Sequence, residues 1–214
     1  MLPSVLPTDS DHVPVLAEEV LSLLDVRPGE TVVVYGIGGV GINAVQGAAF
    51  AGAQHIIAVD PLANKREFAE QFGATHSAPD AAQAQELATD LTRGVGADKA
   101  LMTMGVVTQE AVDAAFAVIR KGGTLVVTGL NGPGVKNIQI PSFELTLFQK
   151  RIHGALFGSG NPFDDIPRML ELYRAGKLKL DELVTNRYGL EEVNQGYREL
   201  TDGKNLRGVM IIDH

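Results

Sequence analysis

Five β-branched or aromatic residues, Thr31-Val32-Val33-Val34-Tyr35, lead directly into Gly36-Ile37-Gly38-Gly39-Val40-Gly41, and nothing else in the 214 residues limits the fold as tightly. A continuous apolar run of this length reads as a strand buried on both faces. The small-residue stretch 40–51 reads as a helix that Gly52 closes. A glycine turn between a buried strand and a helix aims backbone N–H groups, at the positive end of the helix, toward a pyrophosphate. Gly36 permits the tight turn, Gly38 the close approach of a ligand, and Gly41 the packing of helix on strand, with Gly39 and Val40 completing the loop. About 20 residues further on, Asp60 ends the next strand, where a carboxylate accepts both ribose hydroxyls and repels a 2′-phosphate. The combination predicts a site for NAD rather than NADP.

The rest of the chain supports that setting. Strands are expected at 31–35, 55–59, near Thr75, 99–102, 124–128 and 151–157, with helices at 40–51, 63–72, 81–91 and 109–119 between them. This alternation predicts an α/β fold: a Rossmann doubly wound sheet of six parallel strands, covered by helices on both faces. Asn131-Gly132-Pro133-Gly134 reads as a loop and 138–141 as a short extended piece. Two amphipathic helices and two short strands, at 184–188 and 208–212, make up a C-terminal α+β extension. Three segments result: a leader with one helix over 1–30, a nucleotide-binding domain over 31–157, and the extension over 158–214.

Taken together, the wording from about Val26 to the C-terminus resembles the nucleotide-binding half and tail of medium-chain, zinc-dependent alcohol dehydrogenases. Val33-Val34-Tyr35-Gly36-Ile37-Gly38-Gly39-Val40-Gly41-Ile42-Asn43 is most similar to the actinobacterial branch that holds its nicotinamide cofactor tightly. The resemblance implies that Asp60 and Lys65 hold the adenosine ribose and that Met104 lies beside the adenosine. It implies that Val40 packs behind the nicotinamide, and that the backbones of Thr128, Leu130, Ala155 and Phe157 meet the carboxamide end. Arg207, in the tail, is implied to pair with the pyrophosphate. It also implies a homodimer through the sheet edge near residues 138–157.

In that family a separate domain supplies the catalytic zinc and its ligands, and zinc polarises the alcohol so that hydride can leave. These 214 residues hold no cysteine, which excludes thiol catalysis and cysteine-ligated zinc within them. Asp11 and His12 fall near where the family puts its last zinc ligand, but two residues do not make a site. A second resemblance accounts for them: His12-Val13-Pro14-Val15-Leu16-Ala17-Glu18-Glu19-Val20-Leu21 is similar to the opening of bacterial ribosomal-RNA cytosine-N4 methyltransferases. Leu16, Val20, Leu21, Leu23 and Leu24 there share one helical face. The chain therefore reads as chimeric, with a junction near residue 30 and without the methyltransferase cofactor loop.

The expected function is NAD(H) binding without alcohol turnover by these residues alone. Alternatives are one half of an oxidoreductase completed by another chain, and a fusion whose binding is vestigial. A net charge of −8 argues against nucleic acid. No apolar stretch approaches the ~20 residues of a spanning helix, so no membrane role is expected. Without the layout of a secretory signal, the chain reads as cytoplasmic.

Overall fold

The computed structural model describes residues 26–132, 134 and 138–212. The leader helix, Asp11 and His12 lie outside the described residues.

The first βαβ unit consists of β1 (Thr31–Tyr35), α1 (Gly39–Phe50) and β2 (His55–Val59). It is followed by α2 (Ala63–Gln71), β3 (His76–Ala78) and α3 (Ala81–Leu91). The second half runs through β4 (Ala97–Met102), α4 (Gln109–Val118), β5 (Ile119–Val127), α5 (Ser142–Leu147) and β6 (Arg151–Gly154). The six strands form one parallel sheet in the order β3-β2-β1-β4-β5-β6, with β1 and β4 paired at its centre. This is the doubly wound order, in which the direction of winding reverses between β1 and β4 and leaves a crevice over their carboxyl ends.

Two cores lie on opposite faces of the sheet. Successive strand residues point to opposite sides, so Val33 and Tyr35 join Ile57, Ala84, Ala88, Val112, Ala115 and Phe116 beneath α3 and α4. Val32 and Val34 join Ile42, Val45, Ala48, Ile56, Ala69 and Phe72 beneath α1 and α2. A fully buried Val or Ile stabilises by about 1.5–3 kcal/mol, which is why β1 is apolar at nearly every position. At the base of the sheet, Asp98 accepts from Thr31 N at 2.8 Å and from Arg120 Nε at 2.5 Å, tying β1, β4 and β5 together.

The C-terminal extension contains α6 (Pro162–Arg174), β7 (Val184–Tyr188), α7 (Val193–Thr201) and β8 (Arg207–Met210). β7 and β8 form a separate two-stranded parallel sheet. The extension seats on the α1–α2 side of the sheet. Leu183 is buried in that core, Gln46 and the Lys179 backbone exchange hydrogen bonds at 3.1 and 3.3 Å, and Lys179 Nζ donates to Gln71 O.

Some expectations shift. β5 begins at Ile119 rather than 124, because Gly122 takes φ +71 and lets the strand run on past the turn to pair Ile119 with Ala97. Residues 138–141 pair with no strand and lead into α5, in which Leu145 packs partly buried against the core and no residue is fully buried. β6 stops at Gly154; Ala155 N adds one more bond to Val127 O before the chain turns at Phe157–Ser159, where Gly158 has φ +70. The last strand is shifted toward the N-terminus and spans Arg207–Met210 rather than 208–212.

Candidate functional site

The loops after β1, β2, β4 and β5 converge over the crevice. Gly36, at φ +89, donates its N–H to Val59 O at 2.8 Å, and a Cβ on it would stand 2.9 Å from Met104 N. Met104 thus backs directly against the glycine turn from the end of β4. A Cβ on Gly41 would overlap Gly36 O and stand 2.7 Å from Thr103 Oγ1, so this position seals the helix against the turn. Gly38, which caps α1, meets nothing within 4 Å. The turn is therefore closed on its protein side and open on the side where the first N–H groups of α1 lack helical partners.

Asp60 is only 5% exposed, and its carboxylate is already engaged. Oδ2 accepts from Ile37 N at 2.9 Å and Oδ1 from Leu62 N at 3.0 Å. Each oxygen keeps a further lone pair, so the acid can brace the glycine turn and still accept ribose hydroxyls. Arg66 Nη1 donates to Asp60 O at 2.6 Å and to Pro61 O at 3.0 Å, capping the carbonyls at the end of β2.

The other expected residues distribute along the crevice. Val40 is exposed in the first turn of α1. Thr128 follows β5, its N–H and hydroxyl both donating to Met102 O, at 3.1 and 3.0 Å. Leu130 is exposed two residues on, and Ala155 and Phe157 follow β6. Lys65 lies in the first turn of α2, half-buried against the tail. Arg207 arrives from β8, with Nη2 3.0 Å from where a Cβ of Gly39 would be. The tail thus brings a guanidinium to the open end of α1.

Two supporting residues were not singled out from sequence. Thr103 Oγ1 lies 2.9 Å from Tyr35 O and 2.6 Å from Gly36 O, stapling the turn to β4. Asn131 accepts from Val107 N at 3.1 Å and donates to Val107 O at 2.8 Å, fixing the loop after β5 to the loop after β4. A polar residue directly after an apolar strand was the available signal for Thr103.

A metal fits less well. Among the described residues no group of three or more His, Cys, Asp or Glu could hold an ion. His55 and His76 approach each other, with ring centroids 5.7 Å apart, but at the opposite end of the strands from the crevice. Also among the described residues, no helix is long and apolar enough to cross a membrane.

A six-stranded, doubly wound sheet with a glycine turn at its switch point and an acid closing β2 defines a dinucleotide-fold protein of the dehydrogenase type. A family model described as zinc-binding dehydrogenase matches residues 39–175, and the chain belongs to that family. It is 57% identical over 186 residues to an NDMA-dependent alcohol dehydrogenase of Amycolatopsis methanolica, covering 87% of this chain and 50% of the relative. It is 45% identical to alcohol dehydrogenase B of Mycobacterium tuberculosis over the same shares. The solved benzyl alcohol dehydrogenase of Acinetobacter calcoaceticus superposes with a TM-score of 0.82 at 29% identity, over 96% of this chain and 59% of that one. The chain spans about half the length of the curated relatives it matches.

Proposed function

We propose that the chain is the NAD(H)-binding half of a zinc-type alcohol dehydrogenase. The observation that carries this reading is the asymmetry of the glycine turn. Gly41 is packed against Gly36 and Thr103, while Gly38 opens onto the unpartnered amides of α1. That is the cradle a pyrophosphate needs, and Arg207 beside Gly39 adds a positive charge to it. Asp60 and Lys65, one strand away, are read as the contacts to the adenosine ribose, with Met104 beside the adenosine. Val40 is read as packing behind the nicotinamide, and the backbones of Thr128, Leu130, Ala155 and Phe157 as meeting its carboxamide end. A buried carboxylate at the end of β2 disfavours a 2′-phosphate, so NAD is preferred over NADP. The cofactor, when bound, supplies hydride transfer; these residues bind it, orient it and screen it from water.

Zinc chemistry is not assigned to the described residues, whose donor set does not fit a metal. On this reading the described residues bind cofactor and do not themselves activate an alcohol; the alternative is one half of an oxidoreductase that another chain completes. The reading of residues 1–30 as methyltransferase-derived stands as a proposal of chimeric origin.

Titration of the chain with NADH, followed by nicotinamide fluorescence, tests the reading. Saturable enhancement is expected, with NADPH binding at least about tenfold weaker. Replacement Asp60→Asn should erase most of that preference. It should also destabilise the fold by about 1–3 kcal/mol, because Ile37 N and Leu62 N bond to different carboxylate oxygens and an amide presents an NH2 donor in place of one of them. Absence of any signal up to millimolar NADH would sink the proposal. Alcohol-dependent NADH production with added zinc would overturn the view that these residues do not turn over alcohol alone.

A further inference from the structure

The turn between α7 and β8 touches the domain at α2 and at the glycine loop, and a single network holds it. Asn205, 4% exposed, donates Nδ2 to Tyr188 Oη at 2.8 Å. Tyr188 in turn donates to Glu199 Oε2 at 2.5 Å, and Leu206 N donates to Thr185 Oγ1 at 3.0 Å. Burial and the Glu199 acceptor push the Tyr188 hydroxyl pKa up, while that hydroxyl and the Gln195 amide hold the Glu199 carboxyl below the usual carboxylate range. The Tyr188 ring lies against Gly196 and Gly208, where a Cβ would stand 3.2 and 2.7 Å from ring carbons. β7, α7 and the turn between α7 and β8 are therefore locked as one piece.

The two ends of that turn face the two halves of the site. At one end Gly203, at φ +70, packs on α2 so closely that a Cβ would overlap Leu62 Cδ1 and stand 3.5 Å from Lys65 Cε and 3.6 Å from Lys65 Nζ. Gly203 O also accepts from Asn64 Nδ2 at 3.4 Å. At the other end Arg207 Nη2 lies over Gly39.

We propose that the Gly203–Arg207 turn is a clamp across the dinucleotide site, in which Gly203 acts as a positioning residue that sets the place of Lys65 at the ribose. The proposal rests on the reading that the site takes NAD(H). A lysine stem is among the most costly side chains to order, and a neighbour that restricts it before the ligand arrives removes part of that cost from binding. Only glycine fits. Its φ is left-handed, and a Cβ would collide with Leu62 at the start of α2 while coming into contact with the Lys65 stem. The tail thereby contributes to cofactor retention at the ribose as well as at the pyrophosphate.

The test compares NADH dissociation constants of the 214-residue chain and its variants by nicotinamide fluorescence. Gly176 has φ +67 and open space where a Cβ would be, so Gly176→Ala reproduces the backbone strain of Gly203→Ala without the contact. Relative to that control, Gly203→Ala should weaken NADH by about five- to tenfold, and the loss should vanish in a Lys65→Ala background. Asn64→Ala removes the hydrogen bond to Gly203 O without adding bulk. It should weaken NADH about two- to threefold, again only when Lys65 is present, and it decides the matter if Gly203→Ala does not fold. Losses of equal size with and without Lys65, or a Gly203→Ala no weaker than Gly176→Ala, overturn the clamp while leaving the functional reading intact. A wild-type chain that does not bind NADH overturns both.

Discussion

Two glycines three residues apart do opposite work, and substitution separates them. A Cβ on Gly41 would overlap the Gly36 carbonyl oxygen, whereas one on Gly38 meets nothing within 4 Å. Gly41→Ala therefore forces α1 away from β1 and should destabilise the chain by about 2–4 kcal/mol, read as a fall in the urea midpoint. Gly38→Ala sits at φ −95, where alanine is unstrained, and should leave stability within about 0.5 kcal/mol. Its methyl group would occupy the space left for the pyrophosphate, so NADH should bind at least tenfold more weakly. Equal stability losses for the two variants would show that the turn has no open side. The glycine spacing was legible in sequence because each position answers a local backbone demand. The second role of Asp60 was not, because it accepts from Ile37 N across 23 residues of chain. Thr103 was hidden for the same reason, since its acceptors Tyr35 O and Gly36 O belong to a neighbouring strand.

Elements with sharp chemical boundaries were read correctly, and those without were not. β1 and β2 are apolar runs bounded by glycine or aspartate, and α3 starts at Asp80, whose side chain accepts from Gln83 N at 2.9 Å. α5 shows no such stripe because only Leu145 packs against the core and no residue is fully buried. The starts of β2 and β3 bring His55 and His76 together, a consequence of parallel pairing that links Ile57 to His76 and leaves His55 diagonal to it on the same face. Burial, and then the neighbouring His55, lower the His76 pKa from its ordinary value of 6.5. Above that value the imidazole is neutral in folded and unfolded chains alike, so it exerts no pull. As pH falls below it, the unfolded chain takes up a proton that the folded chain resists, and stability is lost until the lowered pKa is passed. Thermal midpoints should therefore fall between about pH 7 and pH 5, and His76→Gln should flatten that decline without altering the midpoint at about pH 8. An unchanged slope in His76→Gln would remove the histidine pair from the account.

At the scale of the whole molecule, the tail resolves one demand of the sequence and leaves another. Leu172 and Leu183 are buried, the latter in the core beneath α1, so the extension docks on the nucleotide domain rather than standing free. Among the described residues, exposed apolar side chains include two groups that bear on association. One comprises the edge strand β6, all four residues of which are exposed, together with Phe143 (71% exposed) and Leu147 on α5, the helix that precedes it in the chain. The other lies on the extension, at Phe163 (91% exposed), Ile166, Tyr197 and Leu200. An unpaired strand edge flanked by apolar side chains is the surface best suited to self-association, because a second copy satisfies its backbone groups as well as its side chains. We therefore expect a homodimer through β6 and α5, measured as twice the chain mass by light scattering at tens of micromolar. Phe143→Asp should reduce the mass to that of the monomer while leaving NADH binding within about twofold, since α5 stands away from the glycine turn. Phe163→Asp should leave the dimer intact. If Phe163→Asp dissociates it and Phe143→Asp does not, the copies meet through the extension. In that case the β6 edge of the sheet is free, and Phe163 on α6 marks the surface already taken.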